Sequence, residues 1–318
     1  MRKQRTSLTR PSTRGRIFVA TVATLLLAPI PMAQDGLRSD MNQDRLSIFD
    51  GQRLVLHYRT VPNPFKPYAD EFFTPRGVNV VRDSPSDHKH HHGLMFAISV
   101  DGLNFWEEHN APGKQIVRAT SPVQTATSEG VERASFTQQL DWINPRDQKL
   151  YAKEKRTITV YRAADLPASL MSWETRLSVP EGKPSMTLGG HRYFGLGVRF
   201  LASMDDGGHF QNADGKTGVE ATNLVRSAWC AYSAKADGKP VTLAMFDAPS
   251  NPRHPAKWYT MGDKPKEFAY LSATLNLKQE PMTISAGHPL KVRYGVALWD
   301  GAIDGAPIDA LYRQWMAW

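Results

Sequence analysis

Hydrophobic and polar residues alternate along much of the chain from residue 45 onward. In "QRLVLHYRT", Leu54, Leu56 and Tyr58 share one face of an extended segment, because side chains alternate across a β-strand. Five further segments show this period of two, with β-branched and aromatic residues: "SFTQQLDWIN", "EKRTITVYRA", "SLMSWETRLSV", "PVTLAMFD" and "KVRYGVALW". The pattern predicts a mostly-β, antiparallel fold.

Turn signals separate these segments, and helical periodicity is found only near the C-terminus. The turn signals include Asp101-Gly102, Ser128-Glu129-Gly130, Asp214-Gly215 and Asp237-Gly238. In "APIDALYRQWMAW", an apolar stripe with helical spacing is formed by Ile308, Leu311, Tyr312 and Trp315. We therefore predict a short C-terminal helix that packs on a sheet. No linker divides residues 34–318, which predicts a single domain.

The first 33 residues have the pattern of a secretory signal peptide. Six basic residues precede the apolar run from Ile17 to Ala28, and a small-residue exit ends at Ala33. This run is shorter than the about 20 residues that a membrane-spanning helix needs, and Pro29 and Pro31 follow it. We predict cleavage after Ala33 and export to the periplasm or the extracellular space.

Removal of this segment changes what the composition implies. It carries six basic residues and no acidic ones, so the formal net charge falls from +8 to +2. The rest of the chain has no basic stripe interleaved with aromatic residues, which argues against nucleic-acid binding. It also has no apolar run of about 18 residues, which argues against an integral membrane segment. The single Cys230 excludes an internal disulfide, and its alternating context predicts a packed thiol.

Four of the ten histidines lie within five positions of "DSPSDHKHHHGLMFAISVDGLNFWEEH", residues 83–109. If this stretch is extended, His88, His90 and His92 share a face. Two imidazoles at this spacing are able to chelate a divalent metal ion, and His88 with His90 is the candidate pair. The third ligand would come from elsewhere, and the candidates are Asp87, His191, His209 and His254. The alternative is a solvated loop or a set of packed polar groups.

Residues suited to sugar recognition occur in four other segments. The segments are "NFWEEH", "GGHRYFG", "SAWCAY" and "NPRHPAKWY". They supply apolar ring faces for stacking, forked guanidinium donors and groups that titrate near neutral pH. The candidate substrate-binding residues are Trp106, Arg192, Trp229, Asn251, Arg253, His254 and Trp258.

The block from Lys66 to Trp106 resembles exported bacterial proteins known as PmoA-like, or methane oxygenase PmoA. The pattern of these proteins reads approximately K-P-Y, T-P-x-G, R-D-x-P-x-D-H-P-H-H-R-G and V-N-G-x-D-F-W. Three later segments of this chain resemble later blocks of the same proteins: "YFGLGVRF", "QNADGKTG" and "FDAPSNPRHPAKW". The resemblance implies a large antiparallel β-sandwich in the style of galactose mutarotases. The oxygenase label is not taken literally. The chain after residue 33 lacks the membrane segments of a methane monooxygenase subunit. Cleavage after Ala33 would also expose Gln34 instead of the N-terminal histidine that exported copper oxygenases use as a metal ligand.

Three residues depart from this pattern at positions that bear on chemistry. Lys89 replaces the usual proline, His92 the usual arginine and Asn104 the usual aspartate. The last two changes remove a permanent cation and an ionisable acid. Mechanisms that depend on either group are therefore placed in doubt.

The leading hypothesis is a carbohydrate-active enzyme that acts on a glycosidic bond or sugar ring by acid/base chemistry. An imidazole suits this role because its ordinary pKa of about 6.5 leaves both protonation states populated near neutral pH. The candidate catalytic residues are His90, His91, Glu107, Asp87 and His191. Hydrolysis, elimination and epimerisation stay open.

Two other function classes remain. The first is a metalloprotein in which His88 and His90 hold a divalent metal, with the oxygenase of the family label included. The second is a non-catalytic glycan-binding protein of the cell envelope. We predict a carbohydrate ligand for the enzyme and for the glycan-binding protein, and no oligomeric state is predicted.

Overall fold

The computed structural model describes residues 35–61, 65–262 and 267–318, together with residues 1 and 4. Contacts divide the chain into two units, Met1–Ala33 and Gln34–Trp318. Apart from residues 1 and 4, the predicted signal peptide lies outside the described residues, so export stays a prediction. In the described part, no helix is long and apolar enough to cross a membrane.

Strands account for most of the regular structure in the described residues. The first eleven are β1 (Leu37–Met41), β2 (Arg45–Asp50), β3 (Arg53–Arg59), β4 (Tyr68–Phe72), β5 (Leu94–Ala97), β6 (Ser99–Val100), β7 (Leu103–Asn104), β8 (Lys114–Thr120), β9 (Gln124–Ser128), β10 (Val131–Ile143) and β11 (Leu150–Arg162). The others are β12 (Ser169–Ser178), β13 (Ser185–Gly189), β14 (Gly195–Arg199), β15 (His209–Asn212), β16 (Val225–Arg226), β17 (Trp229–Ala236), β18 (Lys239–Asp247), β19 (Lys257–Met261), β20 (Tyr270–Thr274), β21 (Met282–Ser285) and β22 (Leu290–Asp300). The helices are a 3₁₀ turn (Ala202–Met204), α1 (Val219–Thr222) and α2 (Gly305–Ala317).

The strands form two nine-stranded antiparallel sheets and one small sheet. The first sheet has the order β1-β2-β3-β4-β5-β14-β20-β19-β16. The second has the order β15-β17-β18-β22-β12-β11-β10-β8, with β9 paired to β10. The small sheet has the order β21-β13-β6-β7. The protein is therefore all-β and antiparallel, with a C-terminal helix, as the alternation predicts.

Short turns with left-handed residues connect several neighbouring strands. Asp101 and Gly102 have φ values of 47° and 80°, and Asp237 and Gly238 have values of 46° and 83°. These turns join β6 to β7 and β17 to β18. Two-residue turns of this type match the right-handed twist of the strands they connect, and Asp-Gly is a favoured sequence for them.

The two large sheets pack face to face around a buried core. Tyr58 of β3 contacts Phe136 of β10 and Trp173 of β12, with ring centroids 5.0 and 6.0 Å apart. Phe96 of β5 lies 6.2 Å from Trp142 of β10. These contacts join the first sheet to the second, and the architecture is that of a β-sandwich.

A buried ion pair on β11 lies at this interface. The guanidinium of Arg156 donates two hydrogen bonds to Glu154, at 2.9 and 2.8 Å. It also donates to the Tyr58 hydroxyl, the Gln115 side chain and the Pro67 carbonyl. All five guanidinium donors therefore have acceptors. This network joins residues of the two sheets within the core.

The C-terminal helix covers part of the outer face of the second sheet. Its buried residues are Ile308, Leu311, Tyr312 and Trp315, the four residues that the sequence predicts. Trp315 donates a hydrogen bond to Ser172 of β12 at 2.8 Å, and its ring packs on Phe246 of β18. The helix thus buries an apolar stripe on a sheet whose opposite face forms the sandwich core.

Candidate functional site

The histidine cluster forms a closed loop and is not extended. Backbone hydrogen bonds run from His88 to the Pro85 carbonyl and from His91 to the His88 carbonyl, at 3.0 and 2.9 Å. Asp83 pairs with His92 across the base of the loop. The extended geometry that would align His88, His90 and His92 is therefore wrong, because turn hydrogen bonds replace the alternating arrangement of a strand.

Gly93 allows this loop to enter β5 directly. Its φ is +44°, and a Cβ atom there would lie 2.1 Å from the Ala69 carbonyl oxygen of β4. A side chain at this position would collide with the neighbouring strand and would also have an unfavourable backbone conformation. A glycine after the four histidines thus fixes the loop against the first sheet.

A cavity of about 320 Å³ opens beside this loop. It lies on the outer face of the first sheet, because Tyr259 and Tyr270 project away from the face that carries Phe96 and Trp258. Its volume lies within the range of small-molecule sites. The lining residues are His88, His90, His91, Trp106, Glu107, Tyr193, Tyr259, Met261, Phe268 and Tyr270.

Trp106 is the central aromatic residue of this cavity. Its ring lies 5.3 Å from His90 and 5.2 Å from His91, edge to face in both pairs. It stacks on Phe194 at 5.3 Å and meets Tyr193 at 4.8 Å. The predicted candidates Trp106, His90 and His91 are thus brought together, and Trp106 is held in one orientation by packing.

Glu107 is positioned by hydrogen bonds at both carboxylate oxygens. The Tyr193 hydroxyl donates to Oε1 at 2.7 Å, and the Asn104 amide donates to Oε2 at 3.0 Å. The Asn104 side-chain oxygen also accepts hydrogen bonds from the backbone of Trp106 and Glu107. Asparagine therefore both shapes this turn and donates to the acid, whereas aspartate would place a second carboxylate against it.

Burial keeps two imidazoles of the cavity in the neutral form. Desolvation, with Lys66 and His88 adding unfavourable positive charge, lowers the pKa of His90 to about 4. Desolvation, followed by the charges of His90 and His88, lowers the pKa of His91 to about 2. His90 is partly exposed and has no hydrogen-bond partner among the described residues, so its ring nitrogens are available to a ligand. His91 is only 5% exposed and mainly packs.

Acidification is expected to destabilise the fold through His91. In the unfolded chain His91 binds a proton near pH 6.5, whereas the folded protein resists this protonation. The contribution of neutral His91 to the free energy of unfolding is therefore complete above pH 6.5 and falls as the pH decreases. At pH 5 the loss is about 2 kcal/mol. His91→Phe retains a ring beside Trp106, Phe268 and Tyr270 and removes the titrating group. Urea unfolding at both pH values measures the difference.

The variant should show a smaller loss of stability between pH 7 and pH 5 than the wild type. An equal loss in both proteins would contradict a buried neutral imidazole at this position. His209→Phe, at an exposed strand position outside the cavity, is the matched control and should keep the wild-type dependence.

A charged network lies behind the cavity and includes residues that the sequence did not single out. His92 is hydrogen-bonded to Asp83 through Nδ1 at 2.7 Å and to Glu108 through Nε2 at 3.0 Å. The buried Lys66 donates to the same Glu108 oxygen at 2.6 Å. Tyr68 stacks on the His92 ring at 4.5 Å and donates to Asp83. One carboxylate thus accepts from a lysine and an imidazole.

This network surrounds His92, the position at which the PmoA-like pattern has an arginine. Burial opposes charge on His92, but the hydrogen bonds to Asp83 and Glu108 outweigh it and raise the pKa of this imidazole. Desolvation of Glu108 is outweighed in the same way by His92 and Lys66, which lower its pKa. The two carboxylates therefore favour the cationic form of the histidine at this position.

Asp87 and the segment around His191 lie at the margin of the cavity. Asp87 is 3.1 Å from His88 and 3.5 Å from Arg199, whose guanidinium lies over Phe268. His191 is 4.5 Å from Tyr193 by ring centroids, and desolvation followed by Lys278 lowers its pKa. The Arg192 guanidinium lies 5.6 Å from the Tyr259 ring. These predicted residues contact lining residues without lining the cavity themselves.

The two other predicted stacking residues are in the protein interior. Trp258 faces the sandwich core, is fully buried and donates to the Ser227 carbonyl at 2.8 Å. Its neighbour Tyr259 points to the opposite face and lines the cavity. Trp229 is buried in the cluster beneath α2. The structure therefore does not place the indoles of Trp258 and Trp229 at the cavity.

The predicted clamp residues between 251 and 254 have structural partners elsewhere. Asn251 and His254 both contact the buried carboxylate of Asp247, each at 2.7 Å. The Arg253 guanidinium donates to the backbone carbonyls of Leu275 and Glu280. None of these three side chains lines the cavity beside the histidine loop. Their hydrogen bonds close the connection between β18 and β19.

The metal hypothesis finds little geometric support in the described part of the chain. Within residues 35–61, 65–262 and 267–318, no three His, Cys, Asp or Glu side chains are grouped so that they could hold a metal ion. His88 and His90 are neighbours, with ring centroids 5.7 Å apart. His191, His209 and His254 do not line the cavity with them.

Several buried polar atoms around the cavity lack a partner among the described residues. They are His91 Nδ1, Trp106 Nε1 and the Tyr270 hydroxyl. Trp106 is 1% exposed and Tyr270 is 2% exposed. Buried polar groups normally have hydrogen-bond partners, so these three atoms are unsatisfied within the described residues.

Comparisons with known proteins address the fold and the family. A galactose mutarotase-like protein from Clostridium acetobutylicum aligns at 9% identity and a TM-score of 0.40, over 83% of this chain and 98% of that chain. A proposed mutarotase from Salmonella typhimurium aligns at 11% identity and a TM-score of 0.39, over 83% and 94%. No curated protein gives a significant match.

The family comparison covers most of the described chain. The matching model spans residues 45–313, which include the histidine loop, the cavity and every strand of the two large sheets except β1. It carries no functional description, so the resemblance to PmoA-like proteins stays a prediction. The chain belongs to the family of unknown function DUF6807.

Proposed function

We propose that this protein is an exported carbohydrate-active enzyme that acts on a sugar ring or glycosidic bond by acid/base chemistry in the cavity beside the histidine loop. The observation that carries the proposal is the convergence of His90, Glu107 and Trp106 on one cavity of about 320 Å³. A neutral imidazole, a carboxylate and an aromatic wall are the groups that such chemistry requires.

The lining suits a ligand with both apolar and hydroxyl surfaces. Aromatic side chains form much of the wall, and sugar rings present C–H faces that pack on aromatic rings. The partly exposed side chains of His90 and Glu107 offer hydrogen-bonding groups to sugar hydroxyls. The combination favours a polyhydroxylated ring over a purely apolar ligand.

The electrostatic environment favours a division of roles between His90 and Glu107. His90 is unprotonated, partly exposed and without a hydrogen-bond partner within the described residues, so a ring nitrogen is available to act as the base toward a sugar hydroxyl, although its lowered pKa makes it a weaker base than a free imidazole. Glu107 is oriented by Tyr193 and Asn104, and the Glu107–Tyr193 pair can stabilise charge or transfer a proton on the other side of the ligand. His91 is too deeply packed for the first role.

The test is turnover of a panel of neutral and acidic oligosaccharides and polysaccharides, followed by NMR of ring and anomeric protons. The wild type is expected to convert at least one sugar, and His90→Ala should lower kcat/KM by about 10²–10⁴-fold, the usual contribution of a general acid or base. The matched control is His209→Ala, at an exposed position outside the cavity. It should retain wild-type turnover.

The outcomes separate the function classes. If neither the wild type nor the variant changes any sugar, the enzymatic proposal is rejected. Sugar binding without turnover, lost on replacement of Trp106 and retained on replacement of His90, would establish the non-catalytic glycan-binding alternative instead.

A further inference from the structure

A row of basic residues crosses the outer face of the second sheet, on the opposite side of the sandwich from the cavity. Lys155 of β11 lies directly opposite Arg176 of β12, and Arg176 lies directly opposite Lys291 of β22. All three side chains are exposed. Neighbouring strands are about 4.8 Å apart, so three cations follow one another at close spacing across three strands.

This arrangement is unfavourable in the free protein. Like charges placed directly opposite on neighbouring strands repel each other. Within the described residues, none of the three cations has a salt-bridge partner. The nearby acid Glu174 lies opposite Arg293 in the next row, and Glu154 points into the core toward Arg156. The three positive charges are therefore not neutralised within the described chain.

The basic row lies in a groove and not on a convex surface. Two depressions of about 400 and 480 Å³ share Lys155 and Arg176 and thus form one continuous trough. Lys153 and Arg293 add further positive charge along it, whereas Arg118 is neutralised by its ion pair with Asp141 at 2.8 Å, and Asp141 also lies opposite Lys153. Helix α2 covers the neighbouring part of the same face, where Trp315 contacts Arg293. The trough lies on a part of this face that α2 leaves uncovered.

We infer that this groove binds an anionic polysaccharide through the carboxylates along its chain. Arginine and lysine are suited to carboxylates, and counterion release on binding a polyanion would offset the repulsion in the basic row. Among the described residues, no aromatic side chain lines the groove for base stacking, which disfavours a nucleic acid. The groove is concave, and no large apolar residue in the described part of the chain is exposed along it, which disfavours a membrane surface. The inference does not depend on the proposed catalysis.

The test compares two triple variants that lose the same charge. The first replaces the basic row, as Lys155→Gln, Arg176→Gln and Lys291→Gln. The control replaces exposed lysines elsewhere, as Lys216→Gln, Lys235→Gln and Lys239→Gln. Binding of the full chain to polygalacturonate is measured by affinity electrophoresis at about 50 and about 200 mM salt. Dextran serves as the neutral polymer.

The wild type and the control should bind polygalacturonate, and neither should bind dextran comparably. The basic-row variant should bind at least about 10-fold more weakly than the wild type. The slope of the logarithm of its binding constant against the logarithm of salt concentration should be less steep by up to about three. Its melting temperature should not fall, because relief of repulsion cannot destabilise the sheet. The single Arg176→Gln variant should show an intermediate loss of affinity.

An equal loss of affinity for polygalacturonate in both triple variants would show a general effect of net charge and would overturn the inference. Wild-type binding to polygalacturonate no stronger than to dextran would also overturn it, as would tighter binding of RNA or anionic vesicles through the same three residues. Because the measurement is binding at the second sheet, its failure leaves the turnover test of the cavity unaffected.

Discussion

Arg156→Met is expected to lower the free energy of unfolding by about 3–5 kcal/mol, the usual cost of breaking a buried ion pair. Arg156 is fully buried, and its five donors join Glu154 to Tyr58, Gln115 and the Pro67 carbonyl across the two sheets. Removal of the guanidinium leaves a carboxylate in the core without its cation. Urea denaturation at pH 7 measures the loss.

The control keeps the same change of side chain at the surface. Arg146→Met lies in the exposed connection between β10 and β11 and should alter stability by no more than about 0.5 kcal/mol. A comparable, small effect at both positions would contradict the buried network. Partial recovery on addition of Glu154→Leu to Arg156→Met would support an uncompensated charge as the cause.

Glu107→Gln is expected to reduce kcat by about 10²–10⁴-fold on whichever sugar the wild type converts. Glutamine preserves the size of the side chain and removes the carboxylate that accepts from Tyr193 and Asn104. Because the walls of the cavity are unchanged, KM should change far less than kcat. Steady-state kinetics over a range of sugar concentrations separate the two constants.

Glu71→Gln is the matched control, because Glu71 pairs with His57 on the first sheet and does not line the cavity. Its kcat should equal that of the wild type. A Glu107→Gln variant with unchanged kcat would remove this carboxylate from the mechanism, and an equal loss in both variants would indicate a general disturbance of the sheet.

Much of the fold could be predicted from local pattern. The alternating segments correspond to β3, β10, β11, β12, β18 and β22, since each places one face in the core of the sandwich. The apolar spacing of the last residues correctly predicts α2 and its buried face. Cys230 is buried in β17, where desolvation raises the pKa of its thiol.

The histidine loop could not be predicted in the same way. Its conformation depends on turn hydrogen bonds between His88, His91 and Pro85 and on the close approach of Gly93 to Ala69. The last of these is a contact between separate strands, which hydrophobic periodicity does not report. Spacing therefore predicts the wrong set of neighbours for these imidazoles.

Only part of the candidate site could be predicted, because residue type does not specify the direction of a side chain. Trp258 and Tyr259 are adjacent and aromatic, yet only Tyr259 faces the cavity. Glu108 and Lys66 bear on the site through a buried network that requires residues 42 positions apart to meet. The repeated aromatic residues of "HRYFG" gave the only local signal for Tyr193.

The most direct test of the central claim is a crystal structure of Glu107→Gln soaked with the sugar that the wild type converts. The substitution slows turnover and should trap the intact substrate. We predict the sugar ring in the cavity, packed on Trp106 with a hydroxyl within hydrogen-bond distance of His90. A fully occupied sugar elsewhere on the protein, with the cavity filled only by water, would contradict the account.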